Sequence, residues 1–142
     1  MNREYPQHPL AAVGAVIKND DQILLIKRRY EPSMSKWSIP GGLIELGERI
    51  QEALKREAEE ETGLKVEVDK LIDAIDNIVT TEDNKIKFHY VLIDYLTHPV
   101  GGKLTPSNEA LDIKWFKSEE LEKYELTRTT KTLLKQIKFL VE

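Results

Sequence analysis

Three closely spaced glutamates, Glu57, Glu60 and Glu61, carry the most chemical content in this 142-residue chain. They fall in a run of helix formers from Gly47 to Thr62 that stops at Gly63, a residue suited to the left-handed turn that closes a helix. With Glu57 at zero and about 100° per residue, Ile50 falls at about 20°, Ala53 at about −40°, Leu54 at about 60° and Ala58 at about 100°. These four residues make one apolar stripe. On the same wheel Glu61 falls at about 40° and Glu60 at about −60°. The three carboxylates therefore continue the face that packs on the core, while Glu52, Lys55 and Glu59 point away.

Like charges turned towards a protein body are costly unless something neutralises them. A divalent cation is the simplest answer. Residues at i, i+3 and i+4 share one side of a helix, so hard oxygen ligands would converge on one point. Magnesium suits such a site, and manganese is an alternative, because both accept carboxylates and keep waters for a phosphate to replace. Taken alone, the acidic run reads better as a solvated helix face. The wider spacing separates the two readings.

Gly42, five residues, Glu48, seven residues and then Arg56-Glu57-Ala58-Glu59-Glu60-Glu61-Thr62-Gly63-Leu64 reproduce the pattern G-x5-E-x7-R-E-U-x-E-E-x-G-U, where U is an aliphatic residue. Ala58 is the smallest apolar choice at the first U. On these residues the sequence resembles the Nudix hydrolases, with the box at 42–64. The strand pair and Trp37-Ser38-Ile39-Pro40-Gly41-Gly42 before the box, and the Glu109 to Phe116 segment after it, extend the resemblance across most of the chain. It implies an α/β/α sandwich with a mixed β-sheet between helices, one domain over 1–142, and Mg²⁺-dependent hydrolysis of a nucleoside diphosphate linked to another group.

The resemblance also implies residue roles. Glu57, Glu60 and Glu61 become metal ligands, joined by the backbone carbonyl of Gly41. Gly42 lets the backbone turn and approach a ligand closely. Arg56 holds a carboxylate such as Glu48 or Glu60 by a charge-assisted hydrogen bond. Glu48 opens the helix, where the dipole favours a carboxylate. Glu109 is the candidate base outside the box, with a helix glutamate as the alternative. Arg28 is placed to pair with a substrate phosphate. Arg29 projects to the opposite face, so one of the two arginines is expected to serve. Trp37, Tyr30, Phe88 and Tyr90 could stack on a nucleobase, but aromatic residues in strands are more often core, and His89 reads as a strand histidine.

These side chains need a scaffold to hold them. Leu10 to Ile17 and Gln22 to Arg28 read as antiparallel strands joined by Lys18-Asn19-Asp20-Asp21. Trp37-Ser38-Ile39 is a short extended piece that Pro40-Gly41-Gly42 stops. Lys65 to Ile78 and Lys85 to Thr97 read as longer strands, followed by a turn at Pro99-Val100-Gly101-Gly102, and Ile113 to Phe116 as the last strand. Ser118 looks like an N-cap with one helical turn after it. Thr129 to Val141 repeats apolar residues at helical spacing, which predicts an amphipathic closing helix. Strands and helices mixed in this way fit a sheet with helices on its faces.

Composition narrows the classes. With 25 acidic and 21 basic residues the formal net charge is −4, which argues against nucleic acid or an anionic membrane as a partner. A chain without cysteine has no thiol nucleophile or thiolate metal site and favours an intracellular setting. Met1 to Pro6 lacks the order of a signal peptide, so the expected location is cytoplasmic. The partner is then a small nucleotide, and since many members of the family pair, a homodimer is one expected assembly. ADP-ribose, cleaved to AMP and ribose 5-phosphate, is the first-choice substrate. Ile78 to Glu82 lacks the proline that ADP-ribose members often carry beyond the box, and the tyrosine associated with dinucleoside polyphosphates. The alternatives are a MutT-like pyrophosphatase of normal or 8-oxo nucleoside triphosphates, and a non-catalytic module that senses a nucleotide.

Overall fold

The computed structural model describes residues 3–141; Met1 and Asn2, part of the stretch considered for a leader, and Glu142 lie outside the described residues. In chain order the elements are β1 (Leu10–Asn19), β2 (Gln22–Arg28), β3 (Trp37–Ser38), β4 (Gly41–Leu43), α1 (Ile50–Thr62), β5 (Leu64–Thr80), β6 (Ile86–Gly102), β7 (Ala110–Lys117), a 3-10 helix (Ser118–Lys123) and α2 (Arg128–Gln136). The sheet runs β3-β2-β1-β6-β5, with β4 added to β1 and β7 to β2. The β1–β6 pair is parallel and the others are antiparallel, so the sheet is mixed as expected. No helix among the described residues is long and apolar enough to cross a membrane.

Strand alternation assigns the two faces of β1. Val13, Ala15 and Ile17 pack with Ala53, Leu54 and Ala58 of α1 in one core. Val16 packs on the other side with Ile23, Leu25, Trp37, Phe116 and Leu134 of α2. Period 2 in the strand and period 3.6 in the helices thus produce the sandwich. Burying a large aliphatic side chain stabilises by about 1.5–3 kcal/mol each, so these two clusters fix the positions of α1 and α2 firmly.

Several boundaries differ from the expected ones for identifiable reasons. The short strand β3 ends before Pro40 as expected, but Gly41-Gly42 are not a turn. Gly41 to Leu43 forms β4 and pairs with Ala12 to Gly14 of β1. The space exists because β1 and β2 bond to each other only beside their turn, at Lys18↔Ile23 and Asn19↔Gln22. The edge of β1 then passes to β4 and β2 takes β3.

Helix α1 starts at Ile50 rather than Gly47. The Glu45 amide donates to the Glu48 carboxylate at 3.0 Å, so Glu48 belongs to a turn before the helix rather than to its first turn. Ile50, assigned by the wheel to the core, is 40% exposed. The helix ends at Gly63 in the left-handed conformation, as the sequence indicates.

Pro99 to Gly102 continues β6 against Leu64 to Val66, across a bulge between Lys65 and Val66. Proline is accommodated there because β1 no longer flanks β6 beyond Thr97. The N-cap of the 3-10 helix is Lys117, one residue before Ser118. Helix α2 is shorter than the apolar repeat to Val141. Thr127 caps it by accepting a hydrogen bond from the Thr130 amide, and Ile137 closes it.

Candidate active site

Arg56 organises the entrance of α1. Its Nε donates to Glu48 Oε2 at 2.7 Å and its Nη2 to Glu48 Oε1 at 2.9 Å, a two-pronged pair. Nη2 also donates to the Leu43 carbonyl at 3.0 Å, which ties the helix to β4. Nη1 donates to Glu57 Oε1 at 2.7 Å and to Glu60 Oε2 at 3.1 Å. One guanidinium therefore steadies both carboxylates foreseen for it. The pairing with Arg56 holds the Glu48 carboxyl down at about 2, well below the usual carboxylate range.

Glu57 and Glu61 face inwards. The absence of a side chain on Gly42 is what admits Glu57, since a Cβ there would overlap its carboxylate. Burial pushes the Glu57 carboxyl up, against the opposing pull of Arg56. Glu61 is 9% exposed, and its Oε2 has no hydrogen-bond partner. Burial first, and then the charge of Glu57, push it up to about 8, with Glu109 adding to the rise and Arg28 opposing it. Glu109, in the loop before β7, thus lies within electrostatic reach of both inner glutamates. Glu60 is different. Its side chain is 59% exposed and rests against Arg56.

A cleft of about 470 Å³ runs from Glu61 and Glu109, past Gly41 and Gly42, to the α2 side of the sheet. That volume suits a small organic ligand. Arg28 lines it, half-buried, with Nε donating to the Pro32 carbonyl at 2.7 Å. Arg29 lines it as well, near the Ala110 carbonyl, and so does not point to an opposite face. Strand β2 ends at Arg28, so alternation no longer governs its successor. Tyr30 and Tyr90 also line the cleft. Trp37 is core, edge-on to Phe116 and Tyr124, and Phe88 is core beside Tyr90. His89 is a half-buried residue of β6.

Asp94 was not among the sequence candidates. It is 2% exposed, lines the cleft and has an unpartnered Oδ2. The signal for it was a single acid inside the apolar run Tyr90 to Leu96.

The residues at the α1 end fit a hard divalent cation. Among the described residues no three carboxylates or imidazoles are already gathered as a metal cluster; Glu57 and Glu60 bond to Arg56. The side-chain donors nevertheless are carboxylates, which hard cations prefer, and the Gly41 backbone meets Glu61 there. Glu61 Oε2 in particular is buried without a partner. Inner carboxylates repelling one another are what a positive ion would relieve.

The α/β/α sandwich thus sets Glu61 of α1 and Glu109 on a cleft with room for a small organic ligand. A family profile described as NUDIX domain matches residues 8–137. An ADP-ribose pyrophosphatase of Methanocaldococcus jannaschii is 34% identical over 116 residues, 82% of this chain and 66% of that protein. A MutT-like protein of Streptomyces ambofaciens is 32% identical over 116 residues, 82% of this chain and 68% of that one. The chain therefore spans about two thirds of the length of these curated relatives. The crystal structure of a MutT NUDIX hydrolase from Burkholderia pseudomallei superposes with a TM-score of 0.80 at 31% identity, over 92% of this chain and 99% of that one. The chain belongs to the Nudix hydrolase family. Its members are pyrophosphatases of small nucleotide substrates and generally need a divalent metal, usually Mg²⁺.

Proposed function

We propose that this protein is a Mg²⁺-dependent pyrophosphohydrolase that cleaves ADP-ribose to AMP and ribose 5-phosphate. The observation that carries the reading is the buried Glu61 carboxylate, whose Oε2 has no hydrogen-bond partner, at one end of a cleft that Arg28 and Arg29 also line. The name of the Methanocaldococcus jannaschii relative supports the choice of substrate.

Glu57, Glu60 and Glu61, with the Gly41 carbonyl, would hold the ion. A bound Mg²⁺ supplies charge neutralisation for the phosphates and a more acidic water. Arg28 orients the anionic substrate through its guanidinium. Glu109, exposed at the rim, takes the proton of the attacking water as its oxygen bonds to phosphorus. The bridging P–O bond breaks, and the departing phosphate carries away the electron pair. Arg56 keeps Glu48, Glu57 and the β4 backbone in place and does not touch the reacting atoms.

Hydrolysis of a nucleoside triphosphate to the monophosphate and pyrophosphate is the second reading, favoured by the absence of proline from Ile78 to Glu82. Incubation with Mg²⁺ and a panel of ADP-ribose, NADH, diadenosine polyphosphates and normal or 8-oxo nucleoside triphosphates, followed by product chromatography, tests both. AMP plus ribose 5-phosphate supports the first reading. Pyrophosphate release from triphosphates alone supports the second, and turnover of none of them overturns both in favour of a nucleotide sensor.

A further inference from the structure

Besides Glu61, the buried side-chain oxygens without a hydrogen-bond partner among the described residues are Ser38 Oγ and Asp94 Oδ2, and both line the same cleft. No carboxylate of α1 is among the charges that act on Asp94. Asp94 stands on β6 in register with Gly14 of β1, on the face of the sheet turned to α2. Its carboxyl lies over the bare Cα of Gly14, where any Cβ would overlap Oδ1 and also Ile39. The chain thus keeps space for an acid at the floor of the cleft and gives that acid no partner. Neither an ammonium nor a guanidinium of the described residues pairs with it. A fold gains nothing from such a group, because a buried polar atom without a partner costs free energy. A ligand that completes its hydrogen bonds explains why it is there.

The form of the acid indicates which ligand. Burial, and to a lesser extent the neighbouring Asp73 carboxylate, push it up to about 7. At neutral pH the protonated form is well populated and presents one O–H donor beside one carbonyl acceptor. The complement is an N–H donor beside an acceptor nitrogen. Apolar Ile39, Leu92 and Leu133 flank the same region of the cleft and suit the faces of an aromatic ring.

We propose that Asp94 is the specificity-determining residue at the non-phosphate end of the cleft, taking the amino-substituted edge of a nucleobase where an exocyclic N–H lies beside a ring nitrogen, as in adenine or cytosine. This rests on the preceding reading only in that a nucleotide occupies the cleft with its phosphates towards Glu61. Ser38 Oγ is the second free partner for the ring or its ribose. An ionised carboxylate would instead favour two adjacent donors, the edge of guanine.

Calorimetric binding of AMP, CMP, GMP and the 5′-monophosphate of unsubstituted purine riboside to the full chain with Mg²⁺ tests this. The wild type should bind AMP or CMP about tenfold tighter than the purine ribotide, a difference of about 1.4 kcal/mol. Asp94→Asn, whose amide keeps one donor and one acceptor, should retain that ratio. Asp94→Ala should bring it close to one while the thermal midpoint holds or rises. Equal wild-type affinities, an unchanged ratio in Asp94→Ala, no measurable AMP or CMP binding, or a preference for GMP would each overturn the proposal. Discrimination without ADP-ribose turnover would remove the substrate proposed above and leave the role of Asp94 standing. Turnover without discrimination would do the reverse.

Discussion

Arg56 and Glu48 meet through two parallel hydrogen bonds, Nε to Oε2 at 2.7 Å and Nη2 to Oε1 at 2.9 Å. The planar guanidinium fits the planar carboxylate edge to edge, and the three remaining hydrogen bonds of Arg56 reach Glu57, Glu60 and the Leu43 carbonyl. A side chain that makes all five hydrogen bonds leaves no capacity for substrate. Its role is to fix the strand-to-helix turn and to spread positive charge under the acidic cluster.

Arg56→Lys should therefore behave as a severe change. An ammonium cannot make the two-pronged pair and reach Leu43 as well. Glu48 and Glu57 would lose the partner that holds them, so the variant should be less stable than the wild type. Urea denaturation of the variant should show the lower midpoint. A midpoint within error of the wild type would refute the bracing role.

Glu61→Gln should lose most hydrolytic activity and keep the fold, because it replaces an acid whose ionised form burial, Glu57 and Glu109 already oppose with a neutral side chain of similar size. Mg²⁺ should raise the thermal midpoint of the wild type, and this increment should vanish in the variant. Persistence of the Mg²⁺ increment would remove Glu61 from the ligand set.

Gly42→Ala places a methyl group where the Glu57 carboxylate now lies. Glu57 is expected to turn outwards and exchange burial for solvent. Activity should fall by about tenfold to a hundredfold, as for other losses of ligand orientation, with little change in the melt. Comparable activity in the two proteins would show that the inward position of Glu57 is dispensable.

Asp94 links stability to pH. Its ordinary value is 3.8 and its value in the folded protein is about 7, so the folded state binds more protons than the unfolded state between these limits. The associated stability is fully present below about pH 4 and declines as pH rises to about 7, by at most about 4 kcal/mol at 1.36 kcal/mol per unit. Asp94→Asn should therefore gain on the wild type as pH rises through that window. Parallel curves of stability against pH for the two proteins would contradict the assignment.

Much of this was legible in the sequence where one periodicity ruled. The inward turn of Glu57 and Glu61 followed from the wheel, since Ala53, Leu54 and Ala58 do pack on β1. Glu60 has the same wheel logic but ends 59% exposed, because Arg56 one turn earlier offers it a partner at the rim. Strand β4 was hidden, as Pro40-Gly41-Gly42 has no strand preference of its own and is recruited by the free edge of β1. Asp94 was hidden for another reason. Whether a lone acid in an apolar strand faces solvent, a partner or a cleft is decided by Gly14, eighty positions away in the chain and adjacent to it in space.

Strand β1 backs both ends of the cleft, with Val13 under α1 and Gly14 beside Asp94. Adjacent residues point to opposite faces, so deletion or insertion of one residue within β1 would exchange the two roles along its whole length. The helix core and the room for Asp94 would be lost together. Length variation among descendants of this chain should thus be confined to places such as the Thr81 to Lys85 hairpin tip, while β1 keeps its residue count even as its side chains drift.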